Sequence, residues 1–120
     1  MKLEEEVKKY MQNKNKSMIT ANHYQTEAKK TAIFPANKAL EYLSLGLVGE
    51  AGEVANKVKK IIRDKKIDVD IGGEIGDVLW YCAMLADYLD VDLGTIMENN
   101  INKLHSRKSR GVLGGSGDNR

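Results

Sequence analysis

The chain has 120 residues, enough for one domain and too few for two that would each fold alone, and 42% hydrophobic with only 6% aromatic residues predicts a core of Leu, Ile, Val, Met and Ala. Nineteen basic residues against 17 acidic ones leave a net charge of +2 with no polybasic block, which argues against a nucleic-acid partner. No run approaches the roughly 18 apolar residues of a membrane span, the opening MKLEEEVKKY has no apolar leader, and the lone Cys82 cannot close an intrachain disulfide, so a cytoplasmic protein with no membrane partner is expected.

Residues 1–16 place Leu3, Val7 and Tyr10 or Met11 at helical spacing among charges, which reads as an amphipathic extension on the body or as a frayed end. A helix is expected over about Ile19–Thr31, and Pro35 separates it from the next one. From Asn37 to Asp64, Leu40, Leu43, Leu47, Val54, Val58 and Ile61 recur every three or four positions, the pattern of a long amphipathic helix. Lys57, Lys59, Lys60 and Arg63 crowd its last turns, where cations suit the negative end of the helix dipole.

Beyond the polar break DKKIDVD, the residues Ile71, Ile75, Val78, Cys82, Leu85 and Leu89 define another helix, expected to lie antiparallel to the first long one. Asp92 is a candidate N-cap for a last helix that carries Ile96, Ile101 and Leu104 inward through about Arg107. The final GVLGGSGDNR holds four glycines, too many for a regular element. The fold class is therefore all-α, a bundle of four to five helices whose wide apolar stripes call for completion by oligomerisation.

The informative residues are those that violate the pattern. Glu50 stands on the inward line of the long helix between Leu47 and Val54, with Glu53 three residues on, in a stretch weakened by Gly46, Gly49 and Gly52. Such glycines suggest that another helix or a ligand comes close. Glu74 and Asp77 repeat the spacing beside Ile75 and Val78 on the next helix. Two carboxylate pairs facing each other across antiparallel helices would repel and lose hydration unless a cation compensates. Oxygen donors without histidine or thiolate favour Mg²⁺, with Mn²⁺ as a substitute, over zinc. A ferritin-like di-iron site would want Glu-x-x-His pairs, and neither His23 nor His105 lies three residues after a glutamate.

The phrase GLVGEAGEVANKVKKIIRD, followed about twenty residues later by EIGDVLWY, resembles the MazG-like nucleoside triphosphate pyrophosphohydrolases. HYQTEAKKTAIFP upstream and NNINKLHSRKSRGVLGGSGDNR downstream are similar to the short single-domain branch of bacteria and phages. The resemblance implies an all-α NTP pyrophosphatase fold, with a catalytic body at 17–110 between the extension 1–16 and a basic tail 111–120. It implies metal ligation by Glu50, Glu53, Glu74 and Asp77, with substrate contacts from Asn100, Lys103 and Arg107 and an aromatic pocket wall at Trp80 or Tyr81. It also implies a homodimer or homotetramer acting on a nucleoside triphosphate.

Residue chemistry and resemblance lead to one mechanism: carboxylate-held Mg²⁺ grips the triphosphate, water attacks near the α-phosphorus, and Glu50 or Glu53 takes its proton. The products are monophosphate and pyrophosphate. The rival from another class is a non-catalytic helical interaction module with an acidic face, which leaves carboxylates on the apolar side without a reason. For the tail the sequence leaves two readings, a merely solubilising end or a basic flap that closes over triphosphate. The flap reading expects deletion of 111–120 to raise KM with little change in melting temperature.

Overall fold

Two long helices pack against each other at the centre of the fold. In the computed structural model, which describes residues 2–12, 16–67 and 70–120, the elements are α1 (Leu3–Met11), α2 (Ala21–Lys29), α3 (Ala39–Asp64), α4 (Ile71–Tyr88) and α5 (Leu93–Ser109). A single 3₁₀ turn, Ala36–Lys38, leads from Pro35 into α3. The described residues contain no strand, and no helix is long and apolar enough to cross a membrane. Of the expected N-terminal extension, residues 1 and 13–15 lie outside the described residues, as do residues 68–69 of the polar break.

Local chemistry accounts for the helix ends. Thr20 caps α2 by accepting from the His23 N–H, so the helix starts two residues later than Ile19. At the start of α4, Asp70 Oδ1 accepts from the Gly73 N–H at 2.9 Å. The start of α5 is different, because Asp92 holds the N-cap position but makes no side-chain cap bond. Its first amides go to α2 instead: Leu93 N–H donates to Gln25 Oε1 at 2.9 Å and Gly94 N–H to Asn22 Oδ1 at 2.8 Å.

α3 and α4 run antiparallel, with Gly46 against Tyr81 at one end and Lys57 against Glu74 towards the other. α2 lies on α4 and on the start of α5, and the core forms at that junction from Ala28, Leu43, Ala83, Met84, Ala86 and Leu93. Gln25 is buried within it, its amide nitrogen donating to the Ala83 and Val91 carbonyls at 3.2 and 3.1 Å. A buried polar group is tolerated there because its hydrogen bonds are made.

Several stripe residues do not turn inward. Leu43 and Ile61 are buried, but Leu40, Val58, Ile75, Leu89, Ile96 and Ile101 are exposed, against the expectation for α5 above all. The reason is geometric: α5 packs on α2 and α4 with Leu93 buried, while Ile96 and Ile101 are left uncovered. The radius of gyration, 17.2 Å, exceeds the value of about 14 Å for a compact chain of this length, and apolar residues on α3 and α5 stand exposed.

The C-terminal stretch has no regular element, as expected, yet it folds back on α5. Gly111 and Gly117 supply positive φ angles of 72° and 94°. Arg107 Nη2 donates to the Asp118 carbonyl at 2.8 Å, and Arg120 donates from Nε to Val112, from Nη1 to Gly117 and from Nη2 to Leu113. The arginines read as a phosphate flap are thus engaged by the tail's own carbonyls.

Candidate active site

A glycine sets the approach of α3 to α4. A Cβ at Gly46 would overlap the Tyr81 ring, whereas one at Gly49 or Gly52 would meet none of the described residues, so of the three glycines only Gly46 answers to a close neighbour among them. One helical turn from that contact, Glu50 follows Gly46 and Asp77 precedes Tyr81 by four residues each. Carboxylate oxygens of Glu50, Glu74 and Asp77 lie within 4.8 Å of one another. Glu53, exposed, stands outside this trio, because three residues of α-helix carry it about 60° around α3 from Glu50.

The charges in this cluster are unevenly held. Partial burial pushes the Glu50 carboxyl above the usual range, reinforced by the negative charges of Asp77, Glu74 and Glu53. Glu74 is held below that range chiefly by Lys57, whose Nζ lies 2.9 Å from Glu74 Oε1. Lys57 was legible only as one cation among four suited to the end of α3, although its spacing of seven residues from Glu50 keeps it on the same helix line.

Beside the carboxylates lies an open cleft of about 310 Å³ lined by Thr31, Glu50, Asp77, Trp80 and Tyr81. Trp80 is fixed there: its indole N–H donates to Thr31 Oγ1 at 2.8 Å, and that hydroxyl donates to the Ala28 carbonyl at 2.7 Å. Phe34 meets the indole edge-on at 6.4 Å and stacks on Tyr42 at 5.7 Å, while Tyr81 packs edge-on against Trp80 at 5.0 Å. Thr31 and Phe34 fall within the phrase HYQTEAKKTAIFP, but no periodicity marked either for the site, since both sit in the α2–α3 connection and come to the cleft and its aromatic backing only through the packing.

The remaining expected site residues lie elsewhere. Asn100 and Lys103 are exposed on α5 and do not line the cleft. Arg107 is buried, 7% exposed, with its Nε atom unpartnered and its Nη2 on the tail. Its position suits the negative end of α5, and the structure gives it to the tail rather than to the cleft.

Three hard oxygen donors around one point fit a divalent cation of the Mg²⁺ or Mn²⁺ type. Residues 38–112, which span α3, α4 and α5, match the model of the MazG nucleotide pyrophosphohydrolase domain. The chain belongs to the MazG family. It is also 53% identical over 109 residues to the gene 37 protein of Mycobacterium phage L5, an alignment that covers 81% of this chain and 96% of the phage protein. No solved structure gives a significant match. Glu50, Glu53, Glu74 and Asp77 all fall inside the matched stretch, while Thr31 and Phe34, which complete the cleft wall and its aromatic backing, lie before it.

Proposed function

We propose that the protein hydrolyses a nucleoside triphosphate to the monophosphate and pyrophosphate, with Mg²⁺ held by Glu50, Glu74 and Asp77 and Mn²⁺ able to replace it. The observation that carries this reading is the convergence of three carboxylates, two of which, Glu50 and Asp77, line a cleft together with Trp80 and Tyr81. When bound, the cation supplies charge neutralisation for the phosphates and a water acidic enough to attack at neutral pH. Glu53, exposed and one turn along from Glu50, takes the proton from that water at its carboxylate. Trp80, locked by Thr31, presents a ring fixed in place for the nucleobase.

Assembly belongs to the same reading. Leu45, Val48, Gly49 and Gly52 form one open face of α3, with Leu45 and Val48 at 74% and 72% exposure. Ile96, Met97 and Ile101 leave another on α5. Pairing of copies across these faces makes the homodimer or homotetramer, and it brings Asn100 and Lys103 of α5 to the cleft of a second copy. Residues 17–110 then act as the catalytic body, with 1–16 as an extension and 111–120 as a structural tail.

The test is product analysis by anion exchange after incubation with each ribo- and deoxyribonucleoside triphosphate. Monophosphate and pyrophosphate should appear with Mg²⁺, and Glu50→Ala, Glu74→Ala and Asp77→Ala should abolish turnover in folded protein. Diphosphate and orthophosphate as main products would overturn the assignment.

A further inference from the structure

Lys57 is the only cation among the described ion pairs that is substantially covered. Its side chain is 30% exposed and that of its partner Glu74 is 16%, whereas Lys29, Lys30, Lys38 and Arg63 in the other pairs are 63–69% exposed. Besides Glu74, the negative charges of Asp70 and Glu53 act on its ammonium. Lys57 therefore sits among the same carboxylates that the metal reading assigns to a divalent cation, and it holds one of the three that converge.

An ammonium on Glu74 Oε1 and a divalent cation drawn to the same carboxylate repel each other and divide one negative charge, so each weakens the hold of the other. Resting on the metal reading above, we propose that Lys57 competes with the metal for Glu74, so that metal uptake releases its ammonium to the triphosphate. Bare metal must break the Lys57–Glu74 pair with no return. Metal arriving with a triphosphate brings phosphate oxygens that accept the displaced ammonium. Lys57 thereby makes the site favour the metal–nucleotide complex over free metal, and by linkage it couples the two affinities.

The competition predicts opposite signs for two measurements on one variant. In Lys57→Met, free Mn²⁺ measured by electron paramagnetic resonance without nucleotide should show several-fold tighter binding than in the intact protein. KM for the Mg²⁺–nucleotide complex should rise several-fold in the same variant, and Lys57→Arg should restore both towards the intact values. A lysine that merely stabilises the fold would shift both affinities towards weaker binding. Lys57→Gln, checked by circular dichroism, serves in place of Lys57→Met if that variant does not fold. Mn²⁺ affinity that is unchanged or weaker in folded Lys57→Met or Lys57→Gln overturns the proposal while leaving the metal reading standing. Failure of the intact protein to bind Mn²⁺ at all would remove both.

Discussion

The ring of Tyr81 lies on the Cα of Gly46, filling the space a side chain would take. Because Glu50 and Asp77 are each one turn from this contact, the pair acts as a spacer that sets how far apart the carboxylates of α3 and α4 stand. A methyl at Gly46 cannot be relieved by a flexible side-chain tip, since its neighbour is an aromatic ring. Gly46→Ala should cost about 1–3 kcal/mol by overpacking, beyond the gain in helix propensity, and should weaken Mn²⁺ binding. Urea denaturation and metal titration check the two effects, and a stabilised variant with normal metal affinity would contradict the spacer role.

Gly49 and Gly52 should respond in the opposite way. A Cβ at either meets nothing among the described residues, so alanine there should stabilise the isolated fold by up to about 1 kcal/mol per site through helix propensity. If the α3 face pairs with a second copy, the double variant Gly49→Ala/Gly52→Ala should also dissociate at higher protein concentration than the intact chain. Light scattering over a dilution series measures this, and a monomer at micromolar concentration in active intact protein would refute the assembly.

Gln25 joins α2, α4 and the start of α5 through one buried amide. Gln25→Ala leaves the Ala83 and Val91 carbonyls and the Leu93 N–H without that partner, and should cost about 3 kcal/mol. Asp92→Ala, at the formal N-cap of α5, should cost less than about 1 kcal/mol, because its side chain makes no cap bond and only the dipole term is lost. Equal losses for the two variants would mean that α5 is capped locally after all.

Glu50 fixes a pH dependence. Its folded pKa lies above the ordinary value, so the ionised carboxylate is disfavoured in the fold, and its contribution to stability is present below the unfolded pKa and lost as pH rises through the folded one. In EDTA, Glu50→Gln should therefore melt higher than the intact protein at pH 7 to 8. This advantage should vanish on acidification through the raised pKa of Glu50. Mn²⁺ affinity of the intact protein should fall over the same acid range, as the proton and the metal compete for one carboxylate. An EDTA melting temperature for Glu50→Gln below that of the intact protein at neutral pH would oppose this account.

Removal of residues 111–120 should lower the melting temperature by several degrees and expose the last turn of α5 to amide exchange. The tail returns the Val112 N–H to the Arg107 carbonyl and the Asp118 carbonyl to the Arg107 guanidinium, and both bonds go with it. This replaces the expectation of a stability-neutral flap. An unchanged melting temperature would restore it.

Sequence periodicity alone was enough for the all-α class, the two long antiparallel helices and the approach of Glu50 to Glu74 and Asp77, because helical spacing ties position in the chain to direction around an axis. The same spacing read Glu50, Glu53, Glu74 and Asp77 alike as inward ligands, and it could not say which oxygens converge. That depended on the Gly46–Tyr81 contact, on Lys57 reaching across to Glu74, and on Thr31 locking Trp80 from an irregular connection. The cap of α5 by Gln25 and Asn22, and the use of Arg107 by the tail, likewise join residues far apart in the chain or outside regular elements. Such contacts have no period to read: they depend on which surfaces the backbone brings together, and only the tertiary structure decides that.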